Sequence, residues 1–226
     1  FLYVDRIAWT PAPKVTRLAA VNLSEHGVLV PKALELTRRE SGIAITATGF
    51  GGESFASVFL PDGLPSPPEI VAHPLPPGTS ALAIAANGDM ILANPLLDTW
   101  SLYRTEHLPG FSVPVPDPPG PARTAASRLG ELLIFTSLIA PWNRADGPLS
   151  RFTCETCHFE GAVDGRTHAT GRGDIRATTK PLLGLFNNRP HFSRALDPDL
   201  TTVADAEFRV AGALSDHDPW FTATSA

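Results

Sequence analysis

The chain has 226 residues, 43% of them hydrophobic, enough to bury the core of one large domain or two modest ones. Its 18 basic side chains stand against 23 acidic ones, a formal net charge of -5, and no lysine- or arginine-rich block could track a phosphate backbone, which argues against a nucleic-acid partner. No apolar run reaches the roughly 20 residues of a bilayer-crossing helix.

The chain opens on FLYVDRIAWT, without the basic start, apolar stretch and small-residue cleavage site of an export leader. An exported protein with this start has lost its leader, or the sequence begins inside a longer one. Strand patterns follow. SGIAITATGF (41–50) puts Ile43, Ile45 and Ala47 on one side by alternation, and SFASVFL (54–60) is a short aromatic and aliphatic run. ALAIAANGDMILAN (81–94) has two apolar runs joined by Asn87-Gly88, a pair suited to the positive φ angles of a tight primed hairpin turn. Short strands separated by turn chemistry predict a sandwich or part of a propeller-like sheet.

Proline, 23 residues in all, is concentrated in 64–78 and in 108–121, where neither a helix nor a central strand can persist. The second stretch is the better boundary, because the hydrophobic period becomes helical after it. The sequence therefore predicts an α+β protein, with a β-rich region over 1–121 and a mainly α region over 122–226. In the latter, Leu129, Leu132, Leu133, Phe135 and Ile139 form one apolar stripe, and LGELLIFTSLIAPW (129–142) reads as a buried helix that carries Glu131 and stops at Pro141. Leu200, Ala204, Phe208 and Ala211 form a second stripe, with Thr201 or Thr202 as its cap.

Between the two stripes lies RFTCETCHFEG (151–161), which holds both cysteines of the chain. A structural zinc site needs four ligands, and with no other cysteine it would need a distant fourth beyond Cys154, Cys157 and His158. A redox dithiol of the thioredoxin kind follows a strand and opens a helix in a βαβ unit, which is not the pattern here, and a structural disulfide is a further alternative. The reading favoured by the C-x-x-C-H order is one covalent haem c. Cys154 and Cys157 form thioethers to its vinyl groups, and His158 is the proximal iron ligand.

From the helix before CETCH to the segment DGRTH…GDIRATTKPLLGLFNNRPHFSRALDPDL, about residues 125–211, the chain resembles the cytochrome domain of the bacterial di-haem cytochrome c peroxidase and MauG superfamily. Such domains also occur singly, fused to β-propellers. The sequence departs from that family in lacking a second C-x-x-C-H, and in having FSRAL where the family carries an F-H-D-G or F-W-D-G element. The resemblance implies a mainly α cytochrome c domain and an exported, periplasmic or extracellular, location. It also implies that His168 is the distal iron ligand and that Arg176 lies near the haem propionates, a role Arg166, Arg172 or Arg189 could also fill.

The occupant of the second axial position separates electron transfer from peroxide chemistry. The single methionine, Met90, falls in the hairpin of the other region, which argues against a His/Met pair. His191, in RPHF, is the alternative sixth ligand to His168. His217, among carboxylates, reads as a surface group, as do His26, His73 and His107. Phe152, Phe159, Leu182, Leu183, Leu185, Phe186 and Phe192 are candidates for a dry wall around the porphyrin. Asp164 reads as a turn residue rather than a calcium ligand.

The first expectation is thus a c-type cytochrome subunit passing single electrons to redox partner proteins, other cytochrome or haem-bearing subunits among them. The alternatives are a peroxidase or MauG-like oxidase component whose second haem lies elsewhere, and an extracellular β-scaffold with a structural haem. No hydrolytic motif competes: GFGGES lacks a G-x-S-x-G elbow.

Overall fold

A computed structural model describes residues 1–63, 67–104, 107–115, 122–139, 153–169, 176–191, 197–200 and 202, with only the main chain for 107–111, 139, 168, 169 and 186. The chain divides into two compact units, Phe1–Leu132 and Leu133–Ala226.

The first unit is built of antiparallel strands. β1 (Leu2–Ala8) and β2 (Lys14–Val21) form a two-stranded ribbon. β3 (Pro31–Arg39), β4 (Gly42–Gly49), β5 (Ser54–Pro61) and β6 (Glu69–Pro74) follow as a four-stranded meander. β7 (Ala81–Ile84), β8 (Met90–Asn94), β9 (Thr99–Arg104) and β10 (His107–Pro114) make a second one. In each sheet the strand order is the chain order, the up-and-down pattern of a propeller blade.

Side-chain alternation places the core. In β5, Ala56 and Val58 point to one face, where they meet Leu2 and Val21 of the ribbon with Leu23, Val28, Ile45 and Ala47. Phe55 points to the opposite face and joins Leu75, just past β6, with Leu92 and Tyr103 of the second meander. Its ring meets Tyr103 edge-on at 5.8 Å and stacks on His73 at 4.7 Å, so His73 is a packing residue rather than the surface group expected. β5 is thus buried on both faces, and Ile43, Ile45 and Ala47 share a side as the alternation predicts.

The Asn87-Gly88 hairpin is present with a longer loop than a two-residue primed turn. Residues 85–89 connect the strands, closed by Ala85 N–H to Asp89 O at 2.8 Å, and Gly88 is the loop residue at positive φ, +90°. Asn87 instead uses its side-chain oxygen to accept the Asp89 N–H. Met90 lies on β8 beyond the turn, packed against the Phe55 cluster.

The helix expected near residue 129 forms as α1 (Ala125–Phe135). Thr124 accepts the Ser127 N–H at its start, and Arg123 donates to Glu131 at 2.6 Å. It is not buried: Leu129 and Ile134 are among the exposed large apolar residues, and no residue of the helix is fully enclosed. The division between the two compact units falls within this helix. An ionic clamp holds its start: Asp98, in the turn between β8 and β9, accepts from both Arg123 and Arg128 and binds the start of α1 to the strands of the first unit.

The second unit corrects the expected fold class. Among its described residues there is no mainly α cytochrome c domain. Beyond the end of α1 they contain one helical turn, α2 (Cys154–Cys157), short 3-10 turns at Ser137–Ile139, Phe159–Gly161 and Leu185–Asn187, and a small hairpin of β11 (Thr167–Ala169) with β12 (Arg176–Thr178). Left-handed residues at Glu160, Gly161, Gly165 and Gly184, with Pro181 and Pro190, break any helical continuation. Near Leu200, Asp199 accepts the Thr202 N–H at 2.9 Å, so Thr202 is the capped residue rather than the cap, and Thr201 lies outside the described residues. The stripe that was to follow, from Ala204 to Ala211, lies outside the described residues. No helix among the described residues is long and apolar enough to cross a membrane.

Candidate functional site

CETCH folds as a single capped turn. Thr153 is extended (φ -123°, ψ 166°) and fully buried, so its side chain can reach forward over α2. Its hydroxyl accepts the Thr156 N–H at 3.2 Å, and the Thr156 hydroxyl accepts the Thr153 N–H at 3.0 Å, a reciprocal capping box. His158 closes the turn by donating its N–H to Cys154 O at 2.9 Å. Gly161 N–H then bonds His158 O at 2.9 Å, and Leu182 N–H bonds Gly161 O at 2.8 Å, tying the PLLG segment to the turn. Gly161 holds φ +78° directly after Glu160 at +52°, a reversal that favours glycine.

Cys154 and Cys157, three apart, share one side of α2, and neither is in a disulfide. Burial pushes the Cys154 thiol up to about 11. Burial also raises Cys157, reinforced by the charge of Asp164 and opposed by that of Arg166. Both sulfurs are therefore neutral at neutral pH, the reverse of the stabilised thiolate of a redox dithiol. Among the described residues, no three His, Cys, Asp or Glu side chains converge as a metal ion would require. A macrocycle held at separate points by two thiols and an imidazole does not need such convergence, and Cys154, Cys157 and His158 are the residues that could hold one.

The flank of the turn is apolar and open: Phe159, Val163 and Leu183 are 50%, 45% and 69% exposed. Leu182 and Leu185 are half-buried, while Phe152, Phe192 and the side chain of Phe186 lie outside the described residues. Asp164 accepts the Arg166 N–H at 3.0 Å, the turn role expected of it.

Of the other site residues, His168 pairs with Ala177 in the β11–β12 hairpin, and its side chain lies outside the described residues. Arg176 sits on β12 opposite Ala169 with its side chain in solvent. Arg172 and His217 also lie outside the described residues. His191 is 6% exposed, and its Nε2 has no hydrogen-bond partner among the described residues. Its main chain is held by an isolated bridge, donating to Asp197 O at 2.7 Å and accepting the Asp197 N–H at 3.3 Å.

Sequence reasoning missed the burial of Glu155, between the two cysteines, and of Asp197. An acid inside a C-x-x-C pair is a readable anomaly, but burial at Asp197 depends on a pairing that no local pattern announces. Comparison with protein-family models, with curated proteins and with solved structures finds no match for this chain.

Proposed function

We propose that the chain is an exported c-type cytochrome subunit that carries one covalent haem on Cys154 and Cys157 and relays single electrons between haem-bearing partner proteins. The carrying observation is that both cysteines of the chain stand on one side of a capped turn, outside any disulfide, with a histidine immediately after them. The open apolar flank of Phe159, Val163 and Leu183 adds support, since it offers a porphyrin a surface to cover.

In this reading the capping box of Thr153 and Thr156 fixes the turn that carries the two sulfurs, and His158 would be the residue to hold the iron. Haem, when bound, supplies a one-electron ferric/ferrous couple whose potential is set by its axial ligands and its exposure. Phe159 and Leu183 would shield its edge from water, and Arg176, whose side chain is in solvent, would be available to pair with a carboxylate.

The test is expression with export and a c-type haem maturation system, followed by the alkaline pyridine spectrum after acid–organic extraction. The reading predicts an extraction-resistant haem in the wild type, a weakened attachment in Cys154→Ala or Cys157→Ala, and none in the double variant. Complete extraction from the wild type would refute it.

A further inference from the structure

We propose that the face of β7–β10 turned away from Phe55 is a self-association surface, on which a second copy of this chain seats the same face across a two-fold axis. Strand pairing builds the face in rows. Ala81, Ala93, Trp100 and Val113 stand opposite one another across all four strands, and Ala83, Ile91 and Leu102 across three. Directly opposed residues share a face, and none of these side chains is polar. Ile91, Trp100 and Val113 are 48%, 51% and 50% exposed, whereas Leu92, Ser101 and Tyr103, which alternate with them, are buried on the other face. β9 is thus patterned against its surroundings, with a serine inside and a tryptophan in solvent. An antiparallel sheet turned to water carries polar residues on that side, and an exposed apolar face of this extent marks a contact surface.

Sheet stacking already builds the first unit: the ribbon β1–β2 covers one face of β3–β6 and β7–β10 covers the other. The free face of β7–β10 continues that series, and another sheet is the partner it fits. Side-chain size selects which sheet. The first row grades from alanine on β7 and β8 to tryptophan and valine on β9 and β10. A two-fold axis lying in the interface, parallel to the strands, sets β7 against the partner's β10 and β8 against the partner's β9. Trp100 then lies over Ala93 of the partner subunit and Val113 over Ala81 of the partner subunit, large on small in both directions, as an isologous contact requires. The rival is a head-to-tail contact with the outer face of the ribbon. Tyr3, Ile7 and Val15 are exposed there, but Asp5 and Arg17 form an ion pair among them, and covering it with apolar rows would cost its hydration. A single four-stranded face is a small interface, so the dimer belongs to the class that dissociates on dilution.

The experiment is analytical ultracentrifugation of the full chain over a concentration series, haem-free and haem-loaded, because the face lies in the first unit and needs no haem. Expected is a mass that rises from 24.1 kDa towards twice that value and no further. Trp100→Lys and Val113→Lys should each raise the dissociation constant by about 30-fold or more while keeping the circular dichroism of the wild type. Ile7→Lys, on the ribbon, should leave it unchanged. Should Trp100→Lys fail to fold, Val113→Lys decides, since β10 is the edge strand. A wild type that stays at monomer mass up to its highest soluble concentration overturns the proposal, as does an unchanged dissociation constant in a folded lysine variant on the β7–β10 face. Growth beyond two copies, or dissociation by Ile7→Lys, overturns the two-fold arrangement in favour of the head-to-tail one. None of these outcomes bears on the haem reading, which the extraction test decides separately.

Discussion

Cys154 is where local environment most clearly sets reactivity. Its ordinary value near 9 is raised to about 11, so at pH 8 it carries about 100-fold less thiolate than an unburied thiol. Alkylation of the haem-free protein by iodoacetamide at pH 8 should be slower at Cys154 by about that factor than in the unfolded chain. The linkage follows in sign: a group whose folded value is raised contributes stability that is complete below its unfolded value and lost as pH rises through the folded one. The haem-free protein should therefore weaken between about pH 9 and 11, seen as a falling urea midpoint. Equal alkylation rates in the folded and unfolded chains would contradict this environment. Thr153 gives a second test. Thr153→Ala should cost about 1 kcal/mol of stability and Thr153→Ser much less, read by denaturant titration of the haem-free protein. The CETCH motif was legible because its chemistry is local, five residues long and unique in the chain. The pairing of His191 with Asp197 was not, because spacing alone cannot fold the stretch of chain between them.

Among the elements, β4, β5 and the β7–β8 hairpin were readable because one or both of their faces meet a core and their apolar residues say so. The ribbon β1–β2 was not singled out: Arg6, Lys14 and Arg17 interrupt it, and Tyr3, Ile7 and Val15 stay in solvent. α1 was legible in its period but not in its burial, since the stripe of leucines does not say whether a partner covers it. Two predictions belong at this scale. Phe55→Ala should cost about 3–5 kcal/mol, because the ring fills the space between the two meanders, and it should lower the denaturation midpoint of the first unit. Asp98→Asn should loosen α1. The hydrogen bond from Arg128, with the charges of Arg123 and Arg128, holds the Asp98 carboxyl below its ordinary value of 3.8 against an opposing effect of burial. A lowered value means the contribution is present above the ordinary carboxylate range and lost as pH falls through the folded value. Hydrogen-exchange protection of 125–132 should therefore fall in acid in the wild type and be low throughout in Asp98→Asn. Equal protection in the two would show that the clamp does not hold the helix.

At the level of the whole molecule, the strand-built first half follows from its sequence, whereas the mainly α second half expected is not found among the described residues. That expectation came from a resemblance and from a stripe at 200–211, while Gly161, Gly165, Pro181, Gly184 and Pro190 punctuate the segment between. A haem bound here would be carried by one capped turn in a unit whose described residues are mostly turns and a short hairpin. The most direct measurement is the intact mass of the exported, matured chain under denaturing conditions. The account predicts a polypeptide heavier by one haem, with that mass mapping to the peptide containing Cys154 and Cys157; a bare polypeptide, or one with those two sulfurs bonded to each other, would contradict it.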